Sequence, residues 1–159
     1  MLALLQKYDC KAASGGAMAA SSDVLIVTGG SRGIGACVVR AAARAGYAVL
    51  FSYLQDAKAA ERLVAELAAE RARLDSIQGN VADPGFAATA FDRAEQRFGP
   101  VTALVNNAGV TGKIGLFKDA ELATLRSTLE VNVLGTMLFA QEAVRRWERA
   151  AIPGRMVNV

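Results

Sequence analysis

From Asp23 onward the chain alternates between two apolar rhythms. Short unbroken runs of Val, Leu and Ile, such as "VLIV" at 24–27, alternate with longer stretches whose apolar residues recur every three or four positions. The short runs suit strands covered on both faces, and the longer stretches suit helices with one buried stripe. "VLIVTGG" therefore predicts a first strand ending in glycines, and "GIGACVVRAAARAG" a helix closed by Gly46. "YAVLFSY" gives a second strand. "DAKAAERLVAELAAERAR" gives an amphipathic helix with Asp56 as N-cap and Leu63, Val64 and Leu67 as its apolar stripe. "LDSIQGNV" supplies the third strand.

The second half repeats the alternation. In "ADPGFAATAFDRAEQRFGP", Asp83 is placed to cap a helix with Pro84 at its first position, and Gly99-Pro100 ends it. Phe86, Ala90, Ala94 and Phe98 recur every four residues on its buried side. "VTALVNN" predicts the fourth strand and residues 109–118 a loop. A long helical stretch follows from about Asp119 to Arg149, interrupted near Asn132, and "GRMVNV" gives strand five. Strands alternating with helices over short connections build a parallel sheet covered on both faces. Right-handed crossovers favour the strand order 3-2-1-4-5.

Residues 1–22 do not share the pattern. "LALL" is too short for a signal-peptide core and is followed at once by Lys7, Asp9 and Lys11. The small residues beyond Ala12 have little to bury. The segment reads as a mobile extension ahead of one domain at 23–159, with Met18 as a candidate start.

Composition narrows the function classes. With 53% hydrophobic and 21% charged residues, 159 residues are enough for a globular domain with its own core. No apolar run approaches the ~18 residues of a membrane span. The net charge of +3 comes from 18 basic and 15 acidic residues interleaved along the helices, which describes solvated faces rather than a nucleic-acid footprint. Cys10 and Cys37 show no framework spacing and there is no histidine, so the expectation is a reducing cytoplasmic setting without a metal site.

The chemistry concentrates at predicted strand ends. "TGGSRGIG" at 28–35 joins strand one to helix one, with Gly29, Gly33 and Gly35 in G-x-x-x-G-x-G spacing. Glycines there permit a tight turn and let backbone N–H groups approach a pyrophosphate, while the helix N-terminus adds its positive dipole end. No Gly-Lys-Ser/Thr follows, so a P-loop is excluded. "NVAD" at 80–83 and "NNAG" at 106–109 close strands three and four at the same carboxyl edge, where open α/β sheets bind ligands. "VNVLG" at 131–135 places an asparagine inside a helix, at about 0.6 kcal/mol relative to Ala in propensity. Each feature alone has a structural explanation: a tight connection, a braced loop or a helix kink. Four in this order point to a dinucleotide site.

Together these motifs resemble the short-chain dehydrogenase/reductase family over residues 23–159, in the branch of bacterial 3-oxoacyl-carrier-protein reductases and sugar or alcohol dehydrogenases. The resemblance implies a Rossmann-type doubly wound sheet, here truncated after strand five. It implies that Gly29, Ser31, Arg32, Gly33, Ile34 and Gly35 line the cofactor phosphates and ribose. Asn80 and Val81 would flank the adenine, and Asn107, Ala108 and Gly109 the ribose nearer the nicotinamide. Thr28 and Asn106 would brace the sheet edge. NAD-preferring relatives carry an acid at the end of strand two, where this chain has Ser52 and Tyr53. A 2′-phosphate would meet no fixed negative charge there and Arg32 is within reach, so NADP(H) is expected over NAD.

The family's proton transfer uses a tyrosine with a lysine four residues on, a substrate-positioning serine and a helix asparagine that holds a water beside the lysine. Of these, the resemblance identifies only Asn132. Tyr8, Tyr47 and Tyr53 are followed four places later by Ala12, Phe51 and Ala57, so the chain holds no Y-x-x-x-K. The expectation is a chain that stops just short of its serine, tyrosine and lysine. It would be inactive alone, whereas the complete enzyme would act on a small carbonyl or alcohol as a homo-oligomer. The alternative is a non-catalytic nucleotide-binding remnant or regulator.

Overall fold

Side chains that alternate along β1 (Val24–Val27) divide the interior in two. Val24 and Ile26 face one core, shared with Ala48, Leu50 and Leu104. Leu25 and Val27 face the other, shared with Val49, Phe51 and Ala103. This is the two-sided burial expected of inner parallel strands. The computed structural model describes residues 23–112 and 115–159. The extension expected at residues 1–22 lies outside the described residues.

The sheet runs β3-β2-β1-β4-β5, all parallel, the order the sequence predicts. β2 (Ala48–Tyr53) and β4 (Ala103–Asn106) flank β1, with Ile26 opposite Leu50 on one side and Leu104 on the other. β3 (Leu74–Gln78) and β5 (Arg155–Asn158) are the edges, and both are correspondingly less buried. Helices α1 (Gly33–Arg44) and α2 (Ala57–Ala69) cover one face through Val39, Ala43, Ala60, Leu63 and Leu67. Helix α3 (Phe86–Phe98) and the later helix α5 (Thr136–Ala150) cover the other, where Phe86 meets Phe139 edge-on at 5.9 Å.

Helix ends follow local chemistry with one correction. Asp56 caps α2 as expected, its Oδ1 accepting from Ala59 N–H at 2.9 Å. Asp83 does not cap α3. The helix starts at Phe86 behind Gly85, without a side-chain cap, and Phe86 N–H returns to the Asp83 carbonyl at 3.0 Å. Pro84 thus sits inside a turn, whose second position its fixed φ suits as well as it suits a first helical turn.

The long stretch after β4 differs from expectation in kind. A short 3₁₀ turn (Phe117–Asp119) precedes α4 (Leu122–Leu129), and helix then continues without a break into α5 through a π segment at Glu130–Gly135. Asn132 lies inside it, so the predicted interruption is a widening of the helical register rather than a kink. Thr136 Oγ1 donates to the Asn132 carbonyl at 3.0 Å across the widened turn.

Ion pairs tie neighbouring helices. Arg40–Glu66 and Arg44–Glu70 are two-pronged pairs between α1 and α2. Arg146 of α5, only 14% exposed, bonds Asp92 at 2.7 Å and Glu95 at 2.5 Å on α3, and Glu142 at 2.7 Å on its own helix. Burial works against its charge, but these three carboxylates outweigh that and raise its pKa further.

Candidate dinucleotide-binding cleft

Parallel strands end on one edge, and β1 and β4 lie where the strand order reverses, so their connections splay apart there. A cleft of about 730 Å³ opens at this edge, spanning the ends of β1 to β4. Its floor is the turn after β1. Gly29 has φ of +65° and Gly33 +55°, a region costly for residues with a Cβ. Gly35 is required for space: a Cβ there would run into the Gly29 carbonyl oxygen and lie 2.5 Å from Asn107 Nδ2.

Buried Thr28, Ser52 and Asn106, with half-buried Asn107, hold this turn and the strand ends together. Thr28 Oγ1 accepts from Asn107 N–H at 2.9 Å and Ala108 N–H at 3.0 Å. Asn107 Nδ2 donates back to the Thr28 and Gly29 carbonyls at 2.9 and 3.0 Å. Ser52 Oγ accepts from Gly29 N–H, and its carbonyl accepts from Gly30 N–H at 2.8 Å. Asn106 Nδ2 donates to Asn158 Oδ1 at 3.0 Å, joining β4 to β5, while its own Oδ1 is buried without a partner among the described residues.

Thirteen of the fourteen residues singled out by sequence line this one cleft: Gly29, Ser31, Arg32, Gly33, Ile34 and Gly35 from the turn, Ser52 and Tyr53 from β2, Asn80 and Val81 after β3, and Asn107, Ala108 and Gly109 after β4. Within that set the side chains divide their labour. Ser52 and Asn107 are engaged by the glycine turn, and Asn80 Oδ1 accepts from Ala82 N–H at 3.1 Å to shape its own loop. Arg32 is exposed at the start of α1, whose first turn has neither a side-chain cap nor an acidic residue.

Asn132 is the exception. It lies outside the lining, and both ends of its amide are engaged by the Val110 backbone: Oδ1 accepts from the N–H at 2.8 Å and Nδ2 donates to the carbonyl at 2.9 Å.

Six further residues line the cleft: Leu54, Gln55, Asp56, Gly79, Val110 and Val131. Most adjoin a residue already singled out, so their position in sequence was the available signal. Asp56 adds an acidic residue to the lining. The expectation concerned the end of β2, where Ser52 and Tyr53 stand, and Asp56 lines the cleft three residues beyond while its side chain caps α2. Helix capping marked Asp56 in the sequence and concealed its second location.

A doubly wound parallel sheet with a glycine-floored cleft at its switch point defines a Rossmann-type α/β protein. The chain belongs to the short chain dehydrogenase family, whose model matches residues 23–159. It is similar to a 3-oxoacyl-[acyl-carrier-protein] reductase of Synechocystis sp., at 31% identity over 141 residues, covering 89% of this chain and 56% of that protein. A short chain dehydrogenase of Burkholderia cenocepacia, solved in complex with NADP, superposes with a TM-score of 0.78 at 35% identity, covering 87% of this chain and 55% of that one. A blue fluorescent protein from a metagenomic library, solved with NADPH, gives 0.75 at 37% identity, covering 86% and 54%. The chain therefore spans little more than half the length of the relatives it matches.

Proposed function

We propose that this chain forms the NADP(H)-binding part of a short-chain dehydrogenase/reductase acting on a small carbonyl or alcohol. The observation that carries the reading is the convergence of residues from four strand ends on one cleft with an uncapped helix N-terminus at its floor. The cleft fits a dinucleotide by its own geometry. Among the described residues, nothing beyond its chain neighbours and its own helix backbone lies within 4 Å of where a Gly33 side chain would begin, so the turn leaves room for a ligand over it. Among the described residues, the first backbone N–H groups of α1 have no side-chain partner and suit a pyrophosphate.

When bound, the nicotinamide supplies or accepts the hydride. The chain's own residues bind and orient. Thr28, Ser52 and Asn107 fix the glycine turn, so its donors need no rearrangement on binding. Arg32 supplies positive charge for a 2′-phosphate at the end where Asp56 opposes it. Asn132 fixes the wall at Val110 and enters the proton relay only through that loop or its own backbone. No tyrosine of the chain has a lysine four residues on, so residues 1–159 bind the dinucleotide without turning over a carbonyl.

The complete enzyme is a homo-oligomer in this reading. Leu122, Leu129, Val133, Met137 and Val144 form an exposed apolar stripe at helical spacing along α4, the π segment and α5. Calorimetric titration of the 159-residue chain with NADPH tests the binding role. Saturable binding that is lost in Gly33→Val is the expected result; no binding by the unaltered chain overturns it.

A further inference from the structure

The π segment reaches both ends of the cleft. At the β4 end, Asn132 holds Val110 through the two hydrogen bonds already described. Three residues later Gly135 is buried against Val81, which lines the cleft at its β3 end. A methyl group on Gly135 would lie 2.7 Å from Val81 Cγ2, 3.1 Å from its Cβ and 3.2 Å from its carbonyl carbon. Helix propensity alone favours alanine over glycine at such a position, so it is the lack of space that requires glycine. Val81 is stiff at χ1 and only 6% exposed, and two of the three contacts are to atoms that no rotamer change moves. An added methyl would have to displace the residue itself, and Val81 is part of the cleft wall.

We propose that Gly135 is a positioning residue that sets the width of the adenosine end of the cleft through Val81. The same π segment fixes the opposite end through Asn132 and Val110. Widened helical turns recur at functional sites, and here the widening lies between two walls of one cleft. The inference rests on the dinucleotide reading of that cleft.

The test uses adenosine 2′,5′-bisphosphate, which carries the adenosine half alone, titrated calorimetrically into the 159-residue chain. Gly135→Ala should weaken it roughly ten- to a hundred-fold, the scale of a wall displaced by about an ångström. Leu134→Ala, at an exposed position of the same π segment, should leave that affinity unchanged, while Asn132→Ala should raise amide hydrogen exchange at Val110, which Gly135→Ala should not do. Adding Val81→Ala removes the closest contact and should recover part of the binding lost in Gly135→Ala. If Gly135→Ala does not fold, comparing Val81→Ala with the double variant decides: a residual loss of less than about ten-fold, from the Cβ and carbonyl carbon that remain in place, supports the contact, and a loss beyond that range refutes it. Binding by a folded Gly135→Ala as tight as the unaltered chain's overturns the proposal, as does an equal loss in Leu134→Ala. If the unaltered chain takes up no bisphosphate, the dinucleotide reading itself falls and this one with it.

Discussion

Arg32 and Asp56 bring opposite charges to the lining of one cleft, and under the proposed dinucleotide reading their balance selects between NADPH and NADH. Arg32 is exposed at the uncapped start of α1, placed to give a charge-assisted hydrogen bond. Arg32→Ala should remove most of the preference for NADPH over NADH, a loss of about 1.5–3 kcal/mol on NADPH and little on NADH. Titration with both cofactors checks it, and equal losses would return Arg32 to an ordinary surface residue. Asp56→Asn keeps a good helix cap while removing the charge. It should tighten NADPH at unchanged thermal stability, whereas Asp56→Ala should also lose about 1 kcal/mol of stability with the cap. A charge-neutral variant that leaves NADPH affinity unaltered would show that the helix end absorbs the whole field of Asp56.

Between elements, stability rests on contacts that join helices to one another and to the sheet. Trp147 of α5 donates its indole N–H to the Val101 carbonyl at 2.7 Å, and its ring lies over Gly154 just before β5. A side chain at Gly154 would collide with that ring. Gly154→Ala should therefore cost about 1–3 kcal/mol, read as a lowered denaturant midpoint. On the other face, hydrogen bonds from Arg40 and Arg44 hold the pKa values of Glu66 and Glu70 below the ordinary 4.5. A depressed carboxylate pKa stabilises the fold above the unfolded value and loses that contribution as pH falls through the folded one. The loss should thus set in below about pH 4.5. Both glutamates are exposed, so solvent screens the effect. The melting temperature of Glu66→Gln/Glu70→Gln should vary less with acid than that of the unaltered chain, and a parallel decline would exclude the pairs as its source.

At the scale of the whole molecule, the stripe along α4, the π segment and α5 should govern association. Val133→Asp combined with Met137→Glu places charges in its middle and should shift sedimenting species toward monomer. An unchanged distribution would move the interface elsewhere. Under the proposed reading, turnover should be absent from residues 1–159 with any ketone, since lack of a positioned general acid typically costs ~10²–10⁴-fold. Joining the serine, tyrosine and lysine region of a close relative should restore NADPH oxidation. Robust turnover by the shorter chain would refute that account.

The strands were legible because unbroken apolar runs such as "VLIV" and "AVLF" suit strands buried on both faces, and right-handed crossovers then favour the order β3-β2-β1-β4-β5. The glycine turn was legible for a similar reason, since its spacing answers a local backbone demand. Elements whose state depends on distant partners were not. Asp83 looked like a cap, yet the Phe86 ring packs against Gly79 and Phe139, and the helix begins only there. Asn132 stood out as a misplaced helix residue, but its partner, the Val110 backbone, lies 22 positions away in sequence. Asp56 showed its cap and hid its place in the cleft, and Gly135 closed the motif "VNVLG" without any sign of its contact with Val81. Hydrophobic period and backbone conformation are local properties, written within a few consecutive residues. Whether a side chain faces a cleft, or a methyl group fits between a helix and Val81, is decided by segments that meet only when the sheet assembles.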